Sequence, residues 1–252
     1  MLAAVVLPTS AFAGTALVVE SAAPEIIETE RDWWVSVSPY TWLTAVEGDA
    51  GLAGFVSPVD ISIADTLEDL DMVFMLTGEA GYGKWSFGLD TIYAKVSQSL
   101  SFPRLSGAGG KFSQKQLILT PRIAYKVVST DSYSMDVLTG ARWMFLDYDL
   151  TLSAPAGKIN RGMNEDWIDP IFGVRGGWQF SEKTSLSYYG DVGGFGISSD
   201  LTWQAYVGLG YKFTPSVSGV VGFRGLGYDY QDDGFTLDTV TYGPVLGLEI
   251  SF

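Results

Sequence analysis

Val240-Thr241-Tyr242-Gly243-Pro244-Val245-Leu246-Gly247-Leu248-Glu249-Ile250-Ser251-Phe252 alternates residue by residue. One face carries Val240, Tyr242, Pro244, Leu246, Leu248, Ile250 and Phe252. The other carries Thr241, Gly243, Val245, Gly247, Glu249 and Ser251. A helix would scatter Glu249 and Ser251 over the apolar side, so the segment reads as an extended strand of period two.

The same period recurs upstream. Trp203, Val207, Leu209, Tyr211 and Phe213 oppose Thr202, Gln204, Gly208, Gly210 and Lys212. Ile168, Phe172, Val174 and Trp178 oppose Asp169, Gly173, Arg175 and Gly177, and Leu117, Leu119, Ile123 and Tyr125 oppose Gln116, Thr120, Arg122 and Lys126. Turn formers join alternate pairs at Gly81-Tyr82-Gly83-Lys84, Ser129-Thr130-Asp131-Ser132, Ser181-Glu182-Lys183-Thr184 and Thr214-Pro215-Ser216, which marks hairpins. The other connections are longer, about 48–71, 99–110, 150–165 and 231–237, with a short one near 198–200.

The strands read as 32–47, 72–82, 85–98, 111–128, 133–149, 166–180, 185–197, 201–213, 216–230 and 238–252. This is an all-β, antiparallel, up-and-down barrel of about ten strands; eight or twelve would also fit the alternation. The first connection, 48–71, reads as a large loop. Within it Val59-Asp60-Ile61-Ser62-Ile63 alternates like a strand extension, and Asp65-Thr66-Leu67-Glu68-Asp69-Leu70 reads as a helical turn capped by Asp65.

Composition narrows the chemistry. The 252 residues include no Cys and no His. That excludes disulfides, thiolate nucleophiles, Cys zinc sites, Ser-His-Asp triads and imidazole bases. Lys plus Arg is 15 against 29 Asp plus Glu, a formal net charge of −14 without basic blocks, so nucleic acid is not an expected partner. No uninterrupted apolar run is long enough for a membrane helix.

Alternation alone does not separate a soluble barrel from a membrane one. Three features favour the membrane. The polar face is poor in charge and rich in Gly and Ser, unlike a water-facing exterior. Aromatics gather near strand ends: Tyr82, Trp85, Tyr125, Tyr133, Trp178, Phe180, Tyr211, Phe213 and Phe252 by the short turns; Trp42, Tyr93, Trp143, Phe145, Trp167, Trp203, Tyr228 and Tyr242 toward the long loops. Two such girdles are expected where rings sit at headgroup level. The chain also stops on Phe252 after alternating hydrophobics. Short turns at one end and long loops at the other complete the asymmetry of a bacterial outer-membrane barrel, with its turns in the periplasm.

The segment Tyr242 to Phe252, with Tyr242, Leu246, Leu248, Ile250 and Phe252 on one face, resembles the C-terminal assembly signal of Gram-negative outer-membrane proteins. Trp33-Trp34-Val35-Ser36-Val37-Ser38-Pro39-Tyr40-Thr41-Trp42-Leu43, Leu67-Glu68-Asp69-Leu70-Asp71-Met72 and Lys84-Trp85-Ser86-Phe87-Gly88-Leu89-Asp90-Thr91-Ile92-Tyr93 resemble a group of largely uncharacterised outer-membrane proteins of proteobacteria. The small OmpA-, OmpX- and OmpW-like barrels are similar in shape. The resemblance implies residence in the bacterial outer membrane, outer-membrane lipid and lipopolysaccharide as surroundings, and the barrel-assembly machinery and periplasmic chaperones as partners. Residues 1–13 read as the remnant of a signal peptide ending at Ala11-Phe12-Ala13, residues 14–31 as a tail, and 32–252 as the barrel.

With the apolar face outward, Glu79, Asp90, Arg122, Lys126, Asp136, Arg142, Asp169, Arg175, Asp191, Lys212, Arg224 and Glu249 point inward. A barrel this small is filled by its side chains, and buried charges must pair. The expected site is therefore an Arg–carboxylate network of Glu79, Asp90, Arg122, Asp136, Arg142, Arg175, Asp191, Arg224 and Glu249 that largely fills the lumen. It suits a structural or surface-interaction protein; the alternative is a narrow porin-like channel for ions or small or apolar solutes. Small outer-membrane barrels that are enzymes use His in their active sites, and this chain has none. No catalytic residue, cofactor or resident metal is expected. Acidic loop ends (Glu47 and Asp49; Glu68, Asp69 and Asp71; Asp147 and Asp149; Glu165 and Asp166; Asp229, Asp232 and Asp233) read as solvated charge, with weak divalent-cation binding as the sharper alternative.

Overall fold

The computed structural model describes residues 33–52, 55–101, 109–154 and 157–252. The proposed signal remnant and tail lie outside the described residues. Twelve strands and one helix follow in order: β1 (Trp33–Trp42), β2 (Ala45–Leu52), β3 (Phe55–Ile61), α1 (Ile63–Asp69), β4 (Leu70–Tyr82), β5 (Trp85–Ser101), β6 (Gly109–Ser129), β7 (Tyr133–Ala154), β8 (Gly157–Gln179), β9 (Thr184–Gly194), β10 (Leu201–Thr214), β11 (Val217–Asp232) and β12 (Phe235–Ser251).

Each strand from β4 to β12 pairs antiparallel with its successor, and β1 closes the ring between β4 and β12. The result is a closed ten-strand antiparallel barrel. The join is a ladder from Ser36–Ser251 to Trp42–Val245, and the Phe252 amide donates to the Val35 carbonyl at 2.9 Å. On the other flank β1 pairs with β4 only from Trp33–Tyr82 to Pro39–Leu76. Proline has no N–H to give, and above it β4 is laddered to β5 alone.

The first loop carries the two remaining strands. β2 continues β1 upward along β12, pairing Ala45 with Tyr242 and Gly51 with Thr236, and β3 folds back on β2. The short helix α1 follows. Its cap is Ser62 rather than Asp65. Asp65 is the third helical residue: its amide donates to Ser62 Oγ at 3.3 Å, and its carboxylate accepts from the Ser62 amide at 3.0 Å. This reciprocal box satisfies both donors, whereas a cap at Asp65 would satisfy one.

Two other expectations need correction. The connections at 99–110 and 150–165 are not open loops. The ladders run up to Ser101–Gly109 and Ala154–Gly157. Above the membrane neither face of a hairpin touches lipid, so pairing continues through Lys111, Asp147 and Arg161 without an apolar alternation to announce it. The strand expected over 185–197 stops at Gly194. Gly194, Phe195 and Gly196 have φ of +87°, +55° and +71°, and this left-handed run turns the chain. A Cβ on Gly194 would stand 2.6 Å from the Ser199 carbonyl, so glycine is required there.

Outward residues form an apolar belt. Trp85, Phe172, Phe213 and Leu246 are each more than half exposed, as water would not favour but hydrocarbon does. Trp203 lies flat over Gly225 and Gly227 on this face, where any added Cβ would strike the indole. The buried core is inside the ring, and its apolar part is built from Trp42, Met75, Ile92, Ile118, Met144, Leu146, Trp167, Leu226, Tyr228, Tyr230, Phe235 and Val245.

Candidate functional site

Strand parity puts the charged residues in the lumen, and the closed ring brings distant ones together. Arg142 on β7 has a fully buried side chain. Its Nη2 donates to Asp191 Oδ1 and Oδ2 at 2.9 and 2.7 Å, and its Nη1 to Thr202 at 2.8 Å. The Tyr189 hydroxyl also donates to Asp191, at 2.5 Å. Arg224 on β11 gives Nη2 to Asp90 and Nη1 to the Tyr40 hydroxyl, both at 2.9 Å. Tyr40 and Thr77 in turn donate to the other Asp90 oxygen at 2.7 and 2.8 Å. Gln204 Oε1 accepts from Arg224 at 2.6 Å and from Arg142 at 3.3 Å. One connected layer therefore runs Asp191–Arg142–Gln204–Arg224–Asp90.

A second group lies nearer the periplasmic turns. Arg175 donates from Nε to Asp136 at 2.9 Å, from Nη1 to Glu79 Oε2 at 2.6 Å, and from Nη2 to Ser86 at 2.8 Å. Its Nη2 also contacts Glu79 Oε1. Arg122 meets the same Glu79 only at 3.6 Å, with its guanidinium over the Tyr189 ring at 5.5 Å. Gly88 makes room for it, since a Cβ there would sit 3.0 Å from Arg122 Nε.

Eight of the nine network residues thus converge in two groups. Glu249 does not join them: it is exposed at the periplasmic mouth, where Ser251 Oγ donates to it at 3.3 Å. Lys212 is also exposed. Asp169 is buried and forms no ion pair among the described residues; its carboxylate accepts from the Ser199 amide and hydroxyl at 2.8 and 2.6 Å and so anchors the β9–β10 turn. Leu246 and Leu248 lie on the outward face of β12, Phe252 just past its end is exposed as well, and Tyr242 hydrogen-bonds Glu47.

The lumen is not filled by charge alone. Trp42, Trp167 and Tyr228, expected in the outer girdle, are buried inside. Trp167 stacks on Tyr230 with centroids 3.9 Å apart and planes 5° apart, and Phe235 and Tyr148 extend the cluster. The parity was readable: Trp167 shares its face with Asp169, Tyr228 with Arg224, and Trp42 with Tyr40. Position in the alternation, not aromatic type, decides which way these rings point. Tyr40, Thr77, Ser86, Tyr189, Thr202 and Gln204 were likewise unmarked as network members, because only the three-dimensional ring shows which polar side chains meet an arginine.

The lumen thus has three storeys. Toward the outside lies the buried apolar cluster. The Arg142–Arg224 layer lies beneath. Toward the periplasm it opens into a cavity of about 610 Å³, lined among others by Trp34, Tyr40, Arg122, Lys126, Tyr189 and Tyr206.

At the extracellular end, burial and the neighbouring Asp232, Asp233 and Asp166 push the Glu165 carboxyl above its ordinary value. Asp65 is held below its own by the Ser62 hydroxyl and amide. Among the described residues no group of three or more carboxylates is placed to hold a metal ion.

No protein-family model and no curated protein matches the chain. Solved structures do. The outer membrane protease OmpT from Escherichia coli superposes with a TM-score of 0.51 at 10% identity, covering 88% of this chain and 98% of that one. The translocator domain of autotransporter NalP from Neisseria meningitidis gives 0.46 at 12%, covering 86% and 88%. The likeness to OmpT is one of fold. With the apolar belt, the architecture is that of an outer-membrane β-barrel.

Proposed function

We propose that this protein is a non-conducting outer-membrane barrel with a structural or surface-interaction role. The observation that carries this reading is the stacking of two different seals. Arg142 and Asp191 have no side-chain exposure, and immediately beyond them Met144, Leu146 and Trp167 are buried as well. An ion crossing the lumen would have to displace a paired charge layer and then an apolar one, and each step is costly. The surface-interaction part rests on the extracellular elements: β3 and α1 leave Val56 and Leu67 at least half exposed above the belt. Outer-membrane lipid and lipopolysaccharide are the surroundings that the belt suits.

We read the chain as non-enzymatic. It resembles OmpT in fold, but a chain without His or Cys has no imidazole to activate a nucleophile and no thiolate to be one. The channel alternative is supported only by the open periplasmic half of the lumen. Planar-bilayer recording separates the two. The refolded barrel is expected to give no steady current; a conductance proportional to salt concentration would overturn the closed reading.

A further inference from the structure

The periplasmic cavity holds two cations, Arg122 and Lys126, that no carboxylate among the described residues engages by a hydrogen bond. Its wall as a whole carries four cations, with Arg175 and Arg224, and five carboxylates, Glu79, Asp90, Asp131, Asp136 and Glu249. Arg175 engages both Glu79 and Asp136. Lys126 is Asp136's register partner across β6 and β7, yet it forms no ion pair among the described residues. Arg122 has a side chain 10% exposed, stands 3.6 Å from Glu79, and has an Nε without a hydrogen-bond partner. The remaining acids of the lining are committed or distant in character: Asp90 to Arg224, and Glu249 and Asp131 exposed at the mouth.

A buried guanidinium that lacks a hydrogen-bonded anion is a poor arrangement for stability and a good one for binding. Arg122 and Lys126 lie four residues apart on one strand, so both face the same space. The Trp34, Tyr189 and Tyr206 rings supply apolar walls. The volume is within the range of small-molecule sites, which combine mostly apolar walls with a few polar groups that fix orientation.

We propose that the cavity is a binding site, entered from the periplasm, for a small organic anion. A carboxylate or phosphate of the ligand engages Arg122 at depth and Lys126 nearer the mouth, and its flat apolar body lies against the tyrosines and Trp34. The closed-lumen reading enters only in giving the site a single mouth.

Calorimetric titration of the refolded barrel in zwitterionic micelles at low salt tests this. The probes are phenyl phosphate, benzoate, inorganic phosphate and uncharged benzyl alcohol. Saturable one-to-one binding of phenyl phosphate or benzoate is expected, with benzyl alcohol not binding; the relative strength of the two anions, and of inorganic phosphate, tells which head group is preferred and how much the ring adds. Arg122→Gln should weaken binding about tenfold or more, and Lys126→Gln less. Lys158→Gln, on the exposed extracellular hairpin, should leave it unchanged. If Arg122→Gln fails to give the heat-modifiable folded band, Gly88→Ala serves, because its methyl, 3.0 Å from Arg122 Nε, shifts the guanidinium by a few tenths of an ångström. No saturable anion binding, binding unchanged in the folded Arg122 or Gly88 variant, or equal binding of benzyl alcohol would each overturn the site. Because no current is measured, a barrel that binds but conducts, and one that is closed but does not bind, are distinct results.

Discussion

Arg224 on β11 and Asp90 on β5 are 134 positions apart in the chain and 2.9 Å apart across the lumen. The pair is buried, so removing one partner costs far more than removing both. Asp90→Ala should lower stability by about 3–5 kcal/mol, whereas the double substitution Asp90→Leu with Arg224→Met should cost much less or nothing. Urea unfolding in lipid vesicles, followed by the folded band on unheated gels, measures both. Equal losses in the single and double variants would show that the pair does not act as a unit.

The two seals predict non-additive leakage. Arg142→Ala alone leaves the aromatic cluster above it, and Trp167→Ala alone leaves the charge layer below. Each single variant should remain closed in bilayers, and the double variant should conduct. A single variant that leaks as much as the double would place the whole barrier in one layer.

Gly140 on β7 faces the β6 backbone. A Cβ there would fall 2.2 Å from the Pro121 carbonyl and 2.9 Å from the Arg122 Cα, neither of which is a flexible side-chain end. Gly140→Ala should therefore separate the strands locally and cost about 1–3 kcal/mol as overpacking does. Slower appearance of the folded band during refolding is the readout, with Gly78→Ala, where the backbone is extended and the added methyl meets nothing, as the comparison for chain effects.

Acidification should act in opposite senses at two extracellular points. The Asp65 carboxyl is lower in the fold than in the unfolded chain, so its support for α1 is present above the unfolded value and is lost as pH falls through the folded one. Glu165 is raised, so its ionised form is disfavoured by the fold; that penalty is present at high pH and relieved as pH falls through the raised value. Amide hydrogen exchange should show α1 loosening in acid while the ends of β8 and β11 become better protected. Loosening of both together would refute the assignment.

Much of this fold was legible because lipid imposes a hard rule on sequence. Where one face meets hydrocarbon, Leu246 and Leu248 must alternate with Gly247 and Glu249, and the lipid-facing part of each of the ten strands is readable from sequence. Where lipid stops, the rule stops, which is why the upper ladders through Asp147 and Arg161 resembled loops. Parity also named the lumen charges. It did not say that Arg175 would engage both Glu79 and Asp136 while Arg122 engaged neither closely. That depends on which strands face each other across the ring, a property of closure and stagger that no single strand carries. For Trp167 the reason is simpler: a large ring suggests the interface, whereas its position in the alternation points inward.

The point where β1 leaves β4 has a bearing on depth. A strand edge without a ladder partner is not tolerated in hydrocarbon, because its amides and carbonyls would have no water. The level of Pro39 and Leu76, where that ladder ends, therefore acts as a waterline on this side of the barrel. Below it the seven residues of β1 from Trp33 to Pro39 stay laddered to β4. The chain thus carries its own draught mark: everything from β2 to α1 rides above it, and the membrane can thicken past that line only by wetting the seam or by tilting the whole barrel.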